Sequence, residues 1–148
     1  LVLAGLVLAA TQAAGVAGRL VAGALADRLG ARPVMAGMGL SMAACAFASA
    51  GAAAWPMAAM LALYMLFGAS AIGWNGVYLA EVARRAPAGS VGTATSAALV
   101  ITFAGVMAGP AIFGALLQVG LHYGQAFMVM GLPALVCGLR LARAAVRR

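Results

Sequence analysis

Acidic residues are almost missing from this sequence: among 148 residues only Asp27 and Glu81 carry a carboxylate, and lysine does not occur at all. Both acids sit beside arginines, outside the middle of every apolar run, so those runs hold no pair of acids for general acid–base work. There is one histidine, His122, and two isolated cysteines, Cys45 and Cys137, in the middle of apolar stretches. Neither cysteine has ligand or disulfide-framework spacing, and no metal cluster can be assembled from these residues. Ser70 lacks a neighbouring base and does not stand in a nucleophile elbow. An enzyme is therefore not expected, and neither is a metal or cofactor.

Charged residues make up only 7% of the chain, against about 25% in ordinary soluble domains. The formal charge of +7 would suggest nucleic acid in a soluble protein. Here the arginines sit at the ends of apolar runs, without a basic face or an aromatic platform, so no nucleic-acid partner is expected.

What is present is apolar side chain: 66% of the residues are hydrophobic, and the mean hydropathy is +1.10. A chain this short cannot hide that much apolar surface in one aqueous core. Lipid must be the solvent. Five runs stand out, covering about residues 1–26, 34–54, 57–82, 91–118 and 121–139. Each approaches the ~20 residues that a helix needs to cross ~30 Å of hydrocarbon. Helices satisfy their own backbone groups in lipid, and the runs are too long for barrel strands. The expected fold is all-α, a polytopic transmembrane helix bundle forming a single membrane domain. The start, Leu1-Val2-Leu3, has neither Met nor a charged leader and is expected to lie inside a longer polypeptide.

Five crossings put the connections at 27–33 and 84–90 and the tail from Arg140 on one side. That side receives eight of the nine arginines, whereas the connections around Trp55 and Gly120 carry no formal charge. The positive-inside rule makes the arginine-bearing side, with the C-terminus, cytoplasmic. Trp55 and Tyr123 then fall at the outer headgroup zone. Arginine without lysine, together with abundant Ala and Gly, is expected of a GC-rich bacterial genome, hence of a bacterial inner membrane.

Arg19 is the ninth arginine. It precedes Asp27 by eight residues, which places it about 12 Å deeper along a helix. A charge there costs about 2.5–3.5 kcal/mol on insertion scales, so it must face protein or water. Gln12 lies on the same helical face. Arg19 is a candidate anchor for an anionic solute group or for a carboxylate elsewhere; a structural arginine bonded to helix carbonyls is the alternative. On the third run Tyr64, Asn75 and Tyr78 share a face at ~100° per residue, with Trp74 at its edge. These residues are candidates for lining a solute cavity, or for helix packing around one satisfied Asn. The fourth run carries Thr93, Thr95, Ser96 and Thr102, of which Thr102 is a candidate contact although such hydroxyls usually bond their own helix. Gly105 and Gly109 allow close helix approach. The second and fifth runs are nearly devoid of interior polar residues. Runs one, three and four are therefore expected to share a polar interior, with two and five facing lipid.

The turn Gly23-x-x-x-Asp27-Arg28-x-Gly30-x-Arg32, preceded by Gly18-Arg19, resembles the loop signature of the major facilitator superfamily, with Ala31 where a basic residue is usual. Gly105-x-x-x-Gly109-Pro110 resembles the glycine-proline element of that family, although Ser96 and Phe113 occupy two of its glycine positions. Gly73-Trp74-Asn75-Gly76 through Glu81 to Pro87 looks like its tenth helix and following loop. The resemblance covers essentially the whole chain and implies a partial major facilitator fold, helices eight to twelve, with helices two to six as the alternative register. It further implies a secondary transporter moving a small-molecule solute by alternating access, driven by an ion gradient. The partners would be membrane lipid, the missing half of the same polypeptide and a coupling ion such as a proton. Asp27, Arg28, Arg32, Glu81, Arg84 and Arg85 would form a conformational charge cluster. A non-transporting membrane scaffold or receptor subunit reusing the fold is the alternative function.

Overall fold

The computed structural model describes residues 2–146. The apolar runs fold as five helices: α1 (Val2–Leu29), α2 (Ala31–Ala48), α3 (Met57–Arg85), α4 (Val91–Gln118) and α5 (Tyr123–Val146). All five are long and apolar enough to cross a membrane. A single 3-10 turn, Ala52–Ala54, lies between α2 and α3. The second run thus stops being α-helical six residues before its predicted end at 54, because Ser49 closes the helix and Gly51 opens the turn. The first, third and fifth helices overrun their predicted ends into the arginine-bearing segments. Those segments are still helix formers, and arginine near a helix C-terminus interacts favourably with the helix dipole.

One residue separates α1 from α2. Gly30 adopts φ 89° and ψ 155°, a conformation open essentially to glycine alone, and its N–H donates to the Ala26 carbonyl at 2.9 Å. The chain reverses at once, and Pro33 is tolerated because it falls in the first turn of α2.

Small residues hold the bundle together. Along α1 and α3, Thr11 meets Gly68, Gly15 meets Ile72, Gly18 meets Gly73, and Arg19 meets Gly76. The pairs advance together, so these helices run parallel. On α2 and α5 the order reverses: Gly39 lies against Gly138, Ala46 against Gly131, and Ala50, just past α2, against Gly124, an antiparallel pair. Gly73 of α3 receives Met38 of α2. Backbones approach closely at such sites, which is how membrane helices gain contact when lipid removes the hydrophobic drive between them. The buried cluster is correspondingly small-sided, with Ala22, Ala26, Ala31, Val34 and Val77 flanked by Met35 and Met38.

Large apolar side chains point outward instead, among them Leu20, Ile101 and Met107 at 73%, 72% and 79% exposure. That inverted distribution fits a lipid solvent. One expectation needs correction. α2, expected to face lipid, packs against α1, α3 and α5 and is the most buried helix of the five, while α4, expected to share the polar interior, is the least. An apolar helix is equally suited to a protein interior and to lipid, so scarcity of polar residues could not distinguish them.

Candidate functional site

α1 and α3 bring Arg19 and Asn75 into the same layer of the bundle. Arg19 projects from α1 with its aliphatic stem over Gly76, the next residue after Asn75. A Cβ built on Gly76 would stand 3.3 Å from Arg19 Cγ and 3.7 Å from Cδ. The stem is thus pinned against α3 while the residue as a whole is exposed. Asn75 is half-buried, and its Oδ1 is shut off from solvent without a hydrogen-bond partner among the described residues. A buried amide oxygen left unpaired costs about 1–3 kcal/mol, so it calls for a function. Gln12 lies on the exposed side of α1 two turns from Arg19.

Trp74 and Tyr78 go elsewhere. Their rings stack at 5.3 Å with a 48° tilt and line a groove of about 370 Å³ with Met35 and Met42 of α2 and Pro133 and Leu141 of α5. Successive helical residues leave the axis ~100° apart, enough to send Trp74 towards α5 and Asn75 away from it. The expected single stripe is therefore divided. Tyr64, nearer the start of α3, lines a third region with Leu3, Val7 and Thr11 of α1. Thr102 is half-buried, and its hydroxyl donates to the Ala98 carbonyl at 2.9 Å; Thr95 bonds Val91 in the same way at 2.8 Å.

Gly105 and Gly109 were expected to seat a neighbouring helix. Among the described residues nothing within 4 Å would meet a Cβ at either position, and α4 packs sparsely, mainly against α3 and α5. Close approach occurs at Gly15, Gly18, Gly68 and Gly73 instead. Gly109 and Pro110 open onto an apolar cavity of about 540 Å³ with Phe67, Phe113 and Phe127. These three phenylalanines form an edge-to-face chain across α3, α4 and α5, with Phe113 and Phe127 centroids 5.1 Å apart. Sequence reasoning passed over them; similar depth on three separate runs was the available signal.

At the arginine-bearing end, Arg32, Glu81, Arg84 and Arg85 surround one polar groove of about 420 Å³ closed by Ala145 of α5. Arg85 Nε donates to Glu81 Oε1 at 2.6 Å, and Arg84 Nε lies 3.8 Å from Glu81 Oε2. Asp27 and Arg28 are exposed outside this groove, and Asp27 makes no ion pair among the described residues. The expected six-residue cluster is thus a group of four. Among the described residues no group of His, Cys, Asp or Glu is placed to hold a metal.

Five spans, one arginine inside them and a charged tight turn between the first two form a combination with a recognisable counterpart. The sequence matches the family model described as Major Facilitator Superfamily over residues 1–148. No curated protein and no solved structure matches it. With the whole chain covered by that match, this multi-pass membrane protein belongs to the major facilitator superfamily, a family of transporters.

Proposed function

We propose that the chain forms part of a secondary transporter that carries a small solute by alternating access, with Arg19 and Asn75 at the solute-contacting surface. The observation that carries this reading is the unpartnered, buried Oδ1 of Asn75 in the layer where the Arg19 stem crosses α3. A solute donating a hydrogen bond to the amide oxygen would relieve its desolvation. Arg19 would hold an anionic group in a medium where the opposite charge is otherwise scarce. Gln12 extends the same face, and Thr102 offers its hydroxyl oxygen from α4 as a further acceptor. The remaining polypeptide would complete the cavity near the bilayer midplane, as in folds built from two rocking halves.

In this reading the arginine-bearing ends lie in the cytoplasm of a bacterium, and the Arg32–Glu81–Arg84–Arg85 group steadies one conformation of the cycle. Any proton-coupling carboxylate belongs to the part of the protein outside this chain, since Asp27 and Glu81 both stand at helix ends. The test is solute uptake into vesicles by the full-length protein. Asn75→Ala and Arg19→Gln should each abolish uptake with normal membrane insertion; unchanged uptake in both would remove the site assignment.

A further inference from the structure

Two grooves lie one above the other on α2, α3 and α5, the upper one bordered also by Leu29 of α1 and the Gly30 turn. The polar groove uses Arg32 of α2, Glu81, Arg84 and Arg85 of α3, and Ala145 of α5. One turn deeper, the apolar groove begins at Met35 of α2, Tyr78 of α3 and Leu141 of α5, and continues to Met42, Trp74 and Ala134. Met42 and Ala134 also line the phenylalanine cavity, so the apolar surface runs on towards the far side of the membrane. The upper groove carries three arginines against one carboxylate. Arg84 and Arg85 share Glu81, and Arg32 has no ion-pair partner among the described residues. The result is a basic mouth at the arginine-bearing end of the bundle, opening onto a slot walled by aromatic and methionine side chains.

We infer that this double groove binds an anionic phospholipid, phosphate at Arg32, Arg84 and Arg85 and one acyl chain along the Trp74–Tyr78 wall. Guanidinium groups match phosphate oxygens in charge and geometry. Basic pockets between membrane helices on the cytoplasmic side are suited to anionic headgroups. A soluble anion would use the mouth alone and leave the slot unexplained. Charge complementarity above and an apolar channel below fit one amphiphile, and the bilayer supplies it. The site is separate from the Arg19–Asn75 surface and does not depend on how that surface works.

Trp74 reports on the slot directly. The full-length protein is placed in nanodiscs containing phosphatidylcholine with a minor fraction of brominated-chain phosphatidylglycerol or, separately, brominated-chain phosphatidylcholine. The contribution of Trp74 is isolated by comparison with Trp74→Phe. Brominated phosphatidylglycerol should quench Trp74 at a mole fraction several-fold lower than brominated phosphatidylcholine. Arg32→Gln and Arg84→Gln should each cut that preference about fivefold, the equivalent of ~1 kcal/mol per arginine near the surface. Arg143→Gln, which removes the same charge from an exposed arginine outside the groove, should leave it intact. Equal quenching by both lipids in the unaltered protein would overturn the inference. So would a preference that survives both groove substitutions, or one that excess inorganic phosphate abolishes, which would mark a free-anion site.

Discussion

Gly76 of α3 and Arg19 of α1 meet through the arginine's methylenes, not its charge, at 3.3 Å from an added Cβ to Cγ. Glycine at this position lets the stem lie flat on α3, which sets the depth of the guanidinium. An alanine there presses on a flexible side chain that can yield by a few tenths of an ångström. Leucine cannot be accommodated without lifting the stem away. Gly76→Ala should therefore keep most of the solute uptake of the full-length protein, while Gly76→Leu should reduce it about tenfold, roughly 1.4 kcal/mol of lost interaction. Comparison of uptake rates at matched membrane abundance decides it.

The glycines that seat one helix on another should respond more steeply. A Cβ at Gly18 would collide with the backbone of Ala69, and one at Gly68 with the backbone and side chain of Thr11. Backbone cannot swing aside as a side-chain end can. Gly18→Ala and Gly68→Ala should each destabilise the fold by about 1–3 kcal/mol, the usual range for overpacking. Gly37 of α2 has nothing within 4 Å of its added Cβ, and Gly37→Ala should be neutral or mildly stabilising. Thermal unfolding of the detergent-solubilised protein measures all three.

These residues also show how far the sequence could be read. Hydropathy and arginine placement announced the spans because chain length per crossing and the cost of burying charge are local properties. That Arg19 stands within the first helix rather than at its end was legible for the same reason. Which helix faces which was not. Gly105-x-x-x-Gly109 carries the spacing for close packing, yet nothing among the described residues lies within 4 Å of a Cβ added there, whereas Gly18 and Gly68 pack closely without that spacing. Trp74 and Asn75 are chain neighbours, but only the position of α5 decides that the ring enters one groove and the amide stays out of it. Partner choice is a property of the assembled bundle.

Asn75 offers a separation of stability from function. Its Oδ1 is buried and unpartnered, so an apolar side chain of similar size removes an unsatisfied group rather than a bond. Asn75→Leu should leave the melting temperature unchanged or raise it, while solute uptake falls to background. A protein that melts earlier and still transports would show the amide to be structural.

Glu81 and Arg84 should act in opposite senses on the double groove. The Glu81 side chain is 17% exposed, against 58% for Arg84 and 53% for Arg85. Such i,i+3 and i,i+4 pairs contribute only about 0–1 kcal/mol each, so Glu81→Gln should shift stability little. It does remove the one negative charge of the mouth and release both arginines towards phosphate. Preference for brominated phosphatidylglycerol at Trp74 should rise in Glu81→Gln and fall in Arg84→Gln. A shift in the same direction for both would mean that the pair is needed intact.

The direction of α4 fixes the direction of every other helix. It spans 28 residues, about 42 Å at 1.5 Å per residue, more than the ~30 Å of hydrocarbon. It is therefore long enough for its two ends to reach opposite aqueous faces, and Ala88 and His122 are exposed in the flanking connections. In the proposed orientation, with the arginine-bearing ends in the cytoplasm, the Ala88 side is cytoplasmic. In a background without Cys45 and Cys137, a membrane-impermeant maleimide should label Ala88→Cys in inside-out vesicles only and His122→Cys in right-side-out vesicles only. Reversal of the two patterns would invert the orientation while keeping the five spans. Labelling of both from one side would mean that α4 does not cross, and with it would go the parallel arrangement of arginine-bearing ends on which the basic groove is built.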